Sequence, residues 1–146
     1  SCPTRRSSDL TGEPLKPKPV NNARTDKLDS YMWRFSFEER RCLIPLTAWA
    51  EAEGTPGSKT RTWLSRPDSE LFAAAGLWRN SDEWGLVYSM VMTDSAGVAA
   101  ECHSRMPVLL SQNDWAKWTD GSTREARSLC KPWVGELAIE RTDQRW

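Results

Sequence analysis

At 146 residues the chain fits one domain, excludes two large ones, and can bury a core without disulfides or a structural metal. Twenty Lys plus Arg balance twenty Asp plus Glu, so net charge argues for neither nucleic acid nor membrane; a nucleic-acid partner requires the basic residues to gather on one face. The four cysteines, Cys2, Cys42, Cys102 and Cys130, form no C-x-x-C pair, which points away from a patterned zinc site or disulfide framework and towards free thiols in a reducing, cytoplasmic setting.

No apolar run approaches the roughly 18 residues of a membrane span, and no membrane partner is expected. The chain carries nine tryptophans. Core packing accounts for most of them, and a few exposed ones could stack on bases. Residues 1–19 are polar and punctuated by Pro3, Pro14, Pro17 and Pro19. They read as an extended or disordered lead, and the Ser1–Leu10 stretch, with its Arg-Arg-Ser-Ser-Asp-Leu run, reads as foreign to the rest. Residues 20–146 form the expected domain.

From Thr25 to Arg40, Leu28, Met32 and Phe35 fall at helical spacing and predict a helix. Asn21 and Asn22 stand before it as caps would. Arg41–Pro45 is an apolar run that predicts a buried strand, and Thr47–Glu53 alternates as a half-buried strand does. Gly54-Thr-Pro-Gly57 signals a turn. Thr60–Ser65, Leu71–Trp78 and Leu86–Thr93 follow as three strands, with turns at Arg66-Pro-Asp68 and Arg79-Asn-Ser-Asp82. Met106–Leu110 predicts another strand. Ser111–Trp118 and Ser122–Cys130 predict helices, the second opened by a Ser122/Glu125 capping box and the first by a weaker Ser111/Asp114 version. Leu137–Arg141 predicts a last short strand. Strands without intervening helices give an α+β class, mainly antiparallel sheet with short flanking helices.

Chemistry has few places to reside. The single histidine, His103, sits in Cys102-His-Ser-Arg-Met-Pro107 between predicted elements. It reads either as a structural histidine or as a proton-transfer group, with Arg105 beside it suited to a phosphate. Glu51 shares a strand face with Trp49 and Glu53. It is either solvated there or desolvated by Trp49, in which case burial raises its pKa as a general acid requires. Asn22 and Arg24 form a third candidate group, either a helix cap or a phosphate contact. Arg40, Arg41, Lys59 and Arg61 add cations whose convergence the sequence does not decide. No Gly-rich phosphate loop occurs, and metal binding by Cys102 and His103 leaves the other ligands unspecified, so no cofactor and no metal is expected.

Taken in order, Asn22-Ala-Arg24, Arg40-Arg-Cys-Leu-Ile-Pro45, Ala48-Trp-Ala-Glu-Ala52, Ala75-Gly-Leu-Trp78, Met92-Thr93 and His103-Ser-Arg-Met-Pro-Val108 resemble the SOS-response-associated peptidase (SRAP) family. The resemblance spans about residues 20–142. It implies a barrel-like antiparallel sheet with short helices, and capture of abasic sites in single-stranded DNA by a monomer. In the family, an N-terminal cysteine freed by an autopeptidase step closes a thiazolidine with the ring-opened sugar. Carried over, the resemblance makes Asn22, Glu51 and His103 catalytic, and Arg24 and Arg105 DNA-contacting. The family's Met-Cys-Gly-Arg opening is not matched, because Cys2 follows Ser1 in a different context. The nucleophile is therefore not assigned to Cys2, and a domain lacking its N-terminal strands, unable to form a stable adduct as it stands, is expected. Two rival readings remain: a non-catalytic single-strand DNA-binding module, and a hydrolase in the literal peptidase sense.

Overall fold

The computed structural model describes residues 20–146; the predicted lead at residues 1–19 lies outside them. Nine strands and four α-helices make up the described residues. They are β1 (Asn22–Arg24), α1 (Arg34–Glu39), β2 (Arg41–Leu46), β3 (Trp49–Glu53), β4 (Thr60–Ser65), β5 (Phe72–Ser81), β6 (Gly85–Asp94), α2 (Ala99–Cys102), β7 (Arg105–Pro107), β8 (Leu109–Leu110), α3 (Trp115–Asp120), α4 (Thr123–Ser128) and β9 (Ala138–Arg145). The class is α+β and mostly β, as expected from the sequence.

Two sheets carry the fold. The larger runs β1-β6-β5-β2, with β7 added to β6 and β8 to β5, and curls into a half-barrel. The smaller is β3-β4-β9. All pairings are antiparallel except β1 with β6. The β5–β6 hairpin closes on Gly85, whose φ of +68° favours a residue without Cβ. Gly76 has a different reason: a Cβ there would stand 2.8 Å from Ile44 Cγ1 and 2.9 Å from Cys42 Sγ, so β2 and β5 pack too closely for alanine.

One core cluster lies under the helices and is built on Leu28, Trp33, Phe37, Leu77, Val91 and Trp118. The Trp118 ring is fully buried and its indole N–H donates to the Cys42 carbonyl at 2.9 Å. Truncating such a side chain typically costs about 3–5 kcal/mol. The second cluster joins the two sheets through Ile44, Trp49, Leu64, Phe72, Ala74 and Met106. Arg41 ties the ends of two helices together. Its guanidinium donates to the carbonyls of Phe37 at 2.6 Å, Trp118 at 2.5 Å and Gly121, satisfying carbonyls left without partners where α1 and α3 end. That cation is structural and does not join a ligand-binding patch.

Five local expectations need correction. The Thr25–Arg40 helix is broken into a 3-10 turn at Thr25–Lys27 and the short α1. The buried apolar side chains there are Leu28, Trp33 and Phe37, while Met32 and Phe35 are each 47% exposed, so the three-residue stripe misread the face. Asn22 is not a cap: it belongs to β1, paired in parallel with Met90. The Arg79–Asp82 turn comes later, because Asn80 and Ser81 still pair with Leu86 and Gly85. Met106–Leu110 is two strands that bridge from β6 to β5, since Val108 donates to Val91 and accepts from Ala75. The Ser122/Glu125 capping box forms as predicted. Ser111 instead donates its hydroxyl to the Asp114 carboxylate at 2.8 Å.

Candidate functional site

Glu51 and His103 meet. Strand β3 alternates, so Trp49, Glu51 and Glu53 share a face opposite Ala50 and Ala52. Their register partners are Leu64, Thr62 and Thr60. Leu64 and Thr62 are buried, as is Trp49, so this face is interior and Glu51 is not a solvated surface carboxylate. Helix α2 ends at Cys102, and the extended His103 then turns the chain into β7. That turn sets His103 Nδ1 3.8 Å from Glu51 Oε2, with the Glu51 side chain 13% exposed and the imidazole 45% exposed.

The electrostatics of the pair are unequal. Burial pushes the Glu51 carboxyl above its ordinary pKa, with His103 and the Trp49 indole acting in the opposite sense. Such a group holds its proton at higher pH than a surface glutamate. Two residues along, Glu53 is pulled the other way. The Thr62 hydroxyl donates to it, Arg141 donates to it at 3.2 Å, and both hold its carboxyl below the usual range. The pKa values of two carboxylates on one strand face are thus shifted in opposite directions. His103 is anchored by its own turn: Nδ1 lies 3.1 Å from both the backbone N–H of Arg105, from which it accepts in one tautomer, and the Arg105 carbonyl, to which it donates in the other. A neutral imidazole accepting there carries its proton on Nε2, which leaves that nitrogen available as a donor.

The remaining predicted residues lie on the larger sheet. Ala23 is fully buried against the first core, so Asn22 and Arg24 point to the opposite face. Their register partners on β6 are Met90 and Met92; Met92 also pairs with Pro107, and Asp94 pairs with Arg105. Asn22, Arg24 and Arg105 therefore share one face of β1-β6-β7, and Arg105 continues directly from His103. The strip is not freely cationic. Arg24 donates from Nε and Nη2 to both carboxylate oxygens of Asp26, at 2.8 and 2.6 Å, and Asp94 lies across from Arg105.

Among the described cysteines, none is an activated thiol. Burial raises the thiol pKa at Cys42, Cys102 and Cys130, reaching about 11 at Cys130. The sequence marks Arg141 only as the end of a predicted strand, because nothing in its local motif distinguishes it from other surface arginines. Trp78, Trp84 and Trp146 are the well-exposed indoles among the described residues, and Trp78 pairs with the exposed Tyr88 on the β5–β6 hairpin.

Residues 8–145 match the family model described as "SOS response associated peptidase (SRAP)". The chain is 30% identical over 128 residues to abasic site processing protein YMR114C of Saccharomyces cerevisiae, covering 82% of this chain and 35% of that protein. It is 27% identical over 121 residues to abasic site processing protein YoqW of Bacillus subtilis, covering 77% of this chain and 54% of that one. Among solved structures it resembles a protein from Bacteroides thetaiotaomicron with a TM-score of 0.73 at 24% identity, covering 82% of this chain and 57% of the other. A protein from Bordetella bronchiseptica gives 0.73 at 22% identity, covering 83% and 64%. These two likenesses concern the fold. The chain spans about a third to a half of the length of the curated relatives it matches.

Proposed function

The chain belongs to the SOS response associated peptidase family, and on that premise we propose that it processes abasic sites in single-stranded DNA, with Glu51 and His103 handling protons. The observation that carries this reading is the Glu51–His103 pair, an interior carboxylate whose oxygen stands 3.8 Å from a half-exposed imidazole. A ring-opened abasic sugar presents an aldehyde. Attack on that aldehyde by an amine or thiol requires a proton for the departing hydroxyl. Glu51, holding its proton above the ordinary carboxylate range, suits that donation. His103, with Nδ1 tied to Arg105, offers Nε2 to the sugar oxygens during ring opening.

Asn22 orients the sugar from β1 in this reading, and Arg105 holds the adjoining phosphate. Arg24 contacts phosphate only by exchanging its Asp26 partner, so its contribution is smaller. The described cysteines are ill suited to act as the nucleophile, which in the family is an N-terminal cysteine. The relatives named for abasic site processing support the substrate class.

Fluorescence anisotropy with matched single-stranded oligonucleotides, one abasic and one intact, tests the proposal. Tighter binding to the abasic strand is expected, with the preference reduced by Asn22→Ala and by His103→Ala. Equal affinity for both strands would leave a non-specific single-strand DNA-binding module. Cleavage of peptides that depends on Glu51 and His103, without DNA binding, would replace the reading by a hydrolase.

A further inference from the structure

The two elements that carry Glu51 and His103 come from different parts of the chain, and backbone pairing does not join them. Glu51 rides on β3, in the sheet β3-β4-β9. His103 follows α2, which leads into β7 of the larger sheet. The second core cluster packs β3 against α2 through Trp49 and Ala99, and a polar tie near the pair adds to that packing in setting the 3.8 Å separation.

Arg141, on β9, occupies that position. Its Nε lies 3.2 Å from Glu53 Oε2 and its Nη2 3.5 Å from Glu53 Oε1, a two-nitrogen grip on the carboxylate two residues beyond Glu51. The same Nη2 lies 3.8 Å from Glu101 Oε2, two residues before His103. The Thr62 hydroxyl donates from the neighbouring strand to Glu53 Oε2, the same oxygen that accepts from Arg141 Nε. Glu53 is 22% exposed, so this end of the tie is largely withdrawn from solvent, whereas Glu101 is 62% exposed.

We propose that Arg141 is a positioning residue: by bridging Glu53 on β3 and Glu101 on α2, it holds Glu51 beside the Nδ1 of His103. The inference rests on the proton-handling role given to that pair, but its geometry is independent of any DNA substrate. Exposed ion pairs contribute little to global stability. The effect of Arg141 is therefore local, on the spacing of two side chains, and small on unfolding. The groups facing Glu51 are His103 and Trp49, with the Cys102 thiol close enough to feel its charge.

The single histidine makes the test direct. In the full chain with a 15N-labelled imidazole, the His103 ring shifts followed against pH carry a step where Glu51 ionises, identified by its absence in Glu51→Gln. Coulombic coupling falls inversely with distance, so retreat of Glu51 from 3.8 Å to about 8 Å halves that step. Arg141→Ala is expected to reduce the step by about half or more while leaving the unfolding temperature nearly unchanged. Arg141→Lys, which keeps the charge, should restore part of it. A full-size step in Arg141→Ala overturns the positioning role. Absence of the step in the unaltered protein overturns the Glu51–His103 pairing itself, and the tie with it. A large loss of stability in Arg141→Ala that Arg141→Lys repairs without recovering the step makes the residue purely structural and also overturns the proposal.

Discussion

Replacing Glu51 with Gln asks whether the fold tolerates this carboxylate at a cost. Its side chain is 13% exposed, and His103 Nδ1 at 3.8 Å is beyond good hydrogen-bonding distance. Burial raises the carboxyl pKa in the folded chain above its ordinary value. The native state therefore binds this proton more tightly than the unfolded state does. The stability so gained is fully present below the ordinary carboxylate range, and it is lost as pH rises through the raised folded value. Gln keeps the shape and cannot ionise, so the variant should gain on the parent as pH increases. Single stabilising substitutions commonly yield about 0.5–2 kcal/mol, and this one is expected within that range. For a domain of this size that corresponds to roughly 2–8 °C in Tm. Tryptophan fluorescence followed through urea and thermal unfolding, between about pH 4 and about pH 8, measures the difference as a function of protonation. The expected result is near equality at the acid end and a more stable variant at the alkaline end, together with a smaller preference for abasic over intact single strands. A variant that is less stable than the parent at high pH, or a difference that does not change with pH, would refute the argument that burial raises the Glu51 pKa.

The other expectations concern packing, phosphate contacts and thiol reactivity. Gly76→Ala places a Cβ within 2.8 Å of Ile44 and 2.9 Å of Cys42 Sγ; it should cost about 1–3 kcal/mol in urea unfolding, as overpacking does. Arg105→Ala should weaken binding to single-stranded DNA about equally for all base sequences and flatten the log–log salt slope by about 0.7. Arg24→Ala should change that slope less, because Asp26 already holds its guanidinium. Cys130, with its thiol pushed up to about 11, should alkylate slowly in the folded protein and rapidly in denaturant. Equal rates in the two states would mean that the thiol is not buried.

Strands that announce themselves by composition were legible in the sequence. Thr60–Ser65 alternates and forms β4 at those bounds, and the apolar Arg41–Pro45 run forms β2 with one further residue. β1 was not legible, because three residues reading Asn-Ala-Arg carry no period, and two asparagines before a helix look like caps. Its identity as a strand comes from a non-local partner, Met90 to Met92 on β6. The Leu28, Met32 and Phe35 stripe failed for a related reason. A tight turn after Lys27 rotates the chain, so that Trp33 and Phe37 enter the core instead. Glu51 and His103 could be named as candidates because a polar group between apolar neighbours is awkward in a core. Their contact is a tertiary fact linking positions fifty-two apart in number, visible beforehand only through the family resemblance. Arg141 shows the limit: its partners Glu53 and Glu101 are distant in sequence, and no local pattern sets it apart.

The most direct measurement of the central claim is a titration of the His103 imidazole with DNA. The chain holds one histidine, so its ring nitrogens give an unambiguous spectrum. Saturating abasic single-stranded oligonucleotide should shift the His103 Nε2 resonance, intact oligonucleotide of the same sequence should leave it close to its free position, and Glu51→Gln should diminish the difference. Identical His103 spectra with the two oligonucleotides, at concentrations where both are bound, would contradict an abasic-site function for this pair.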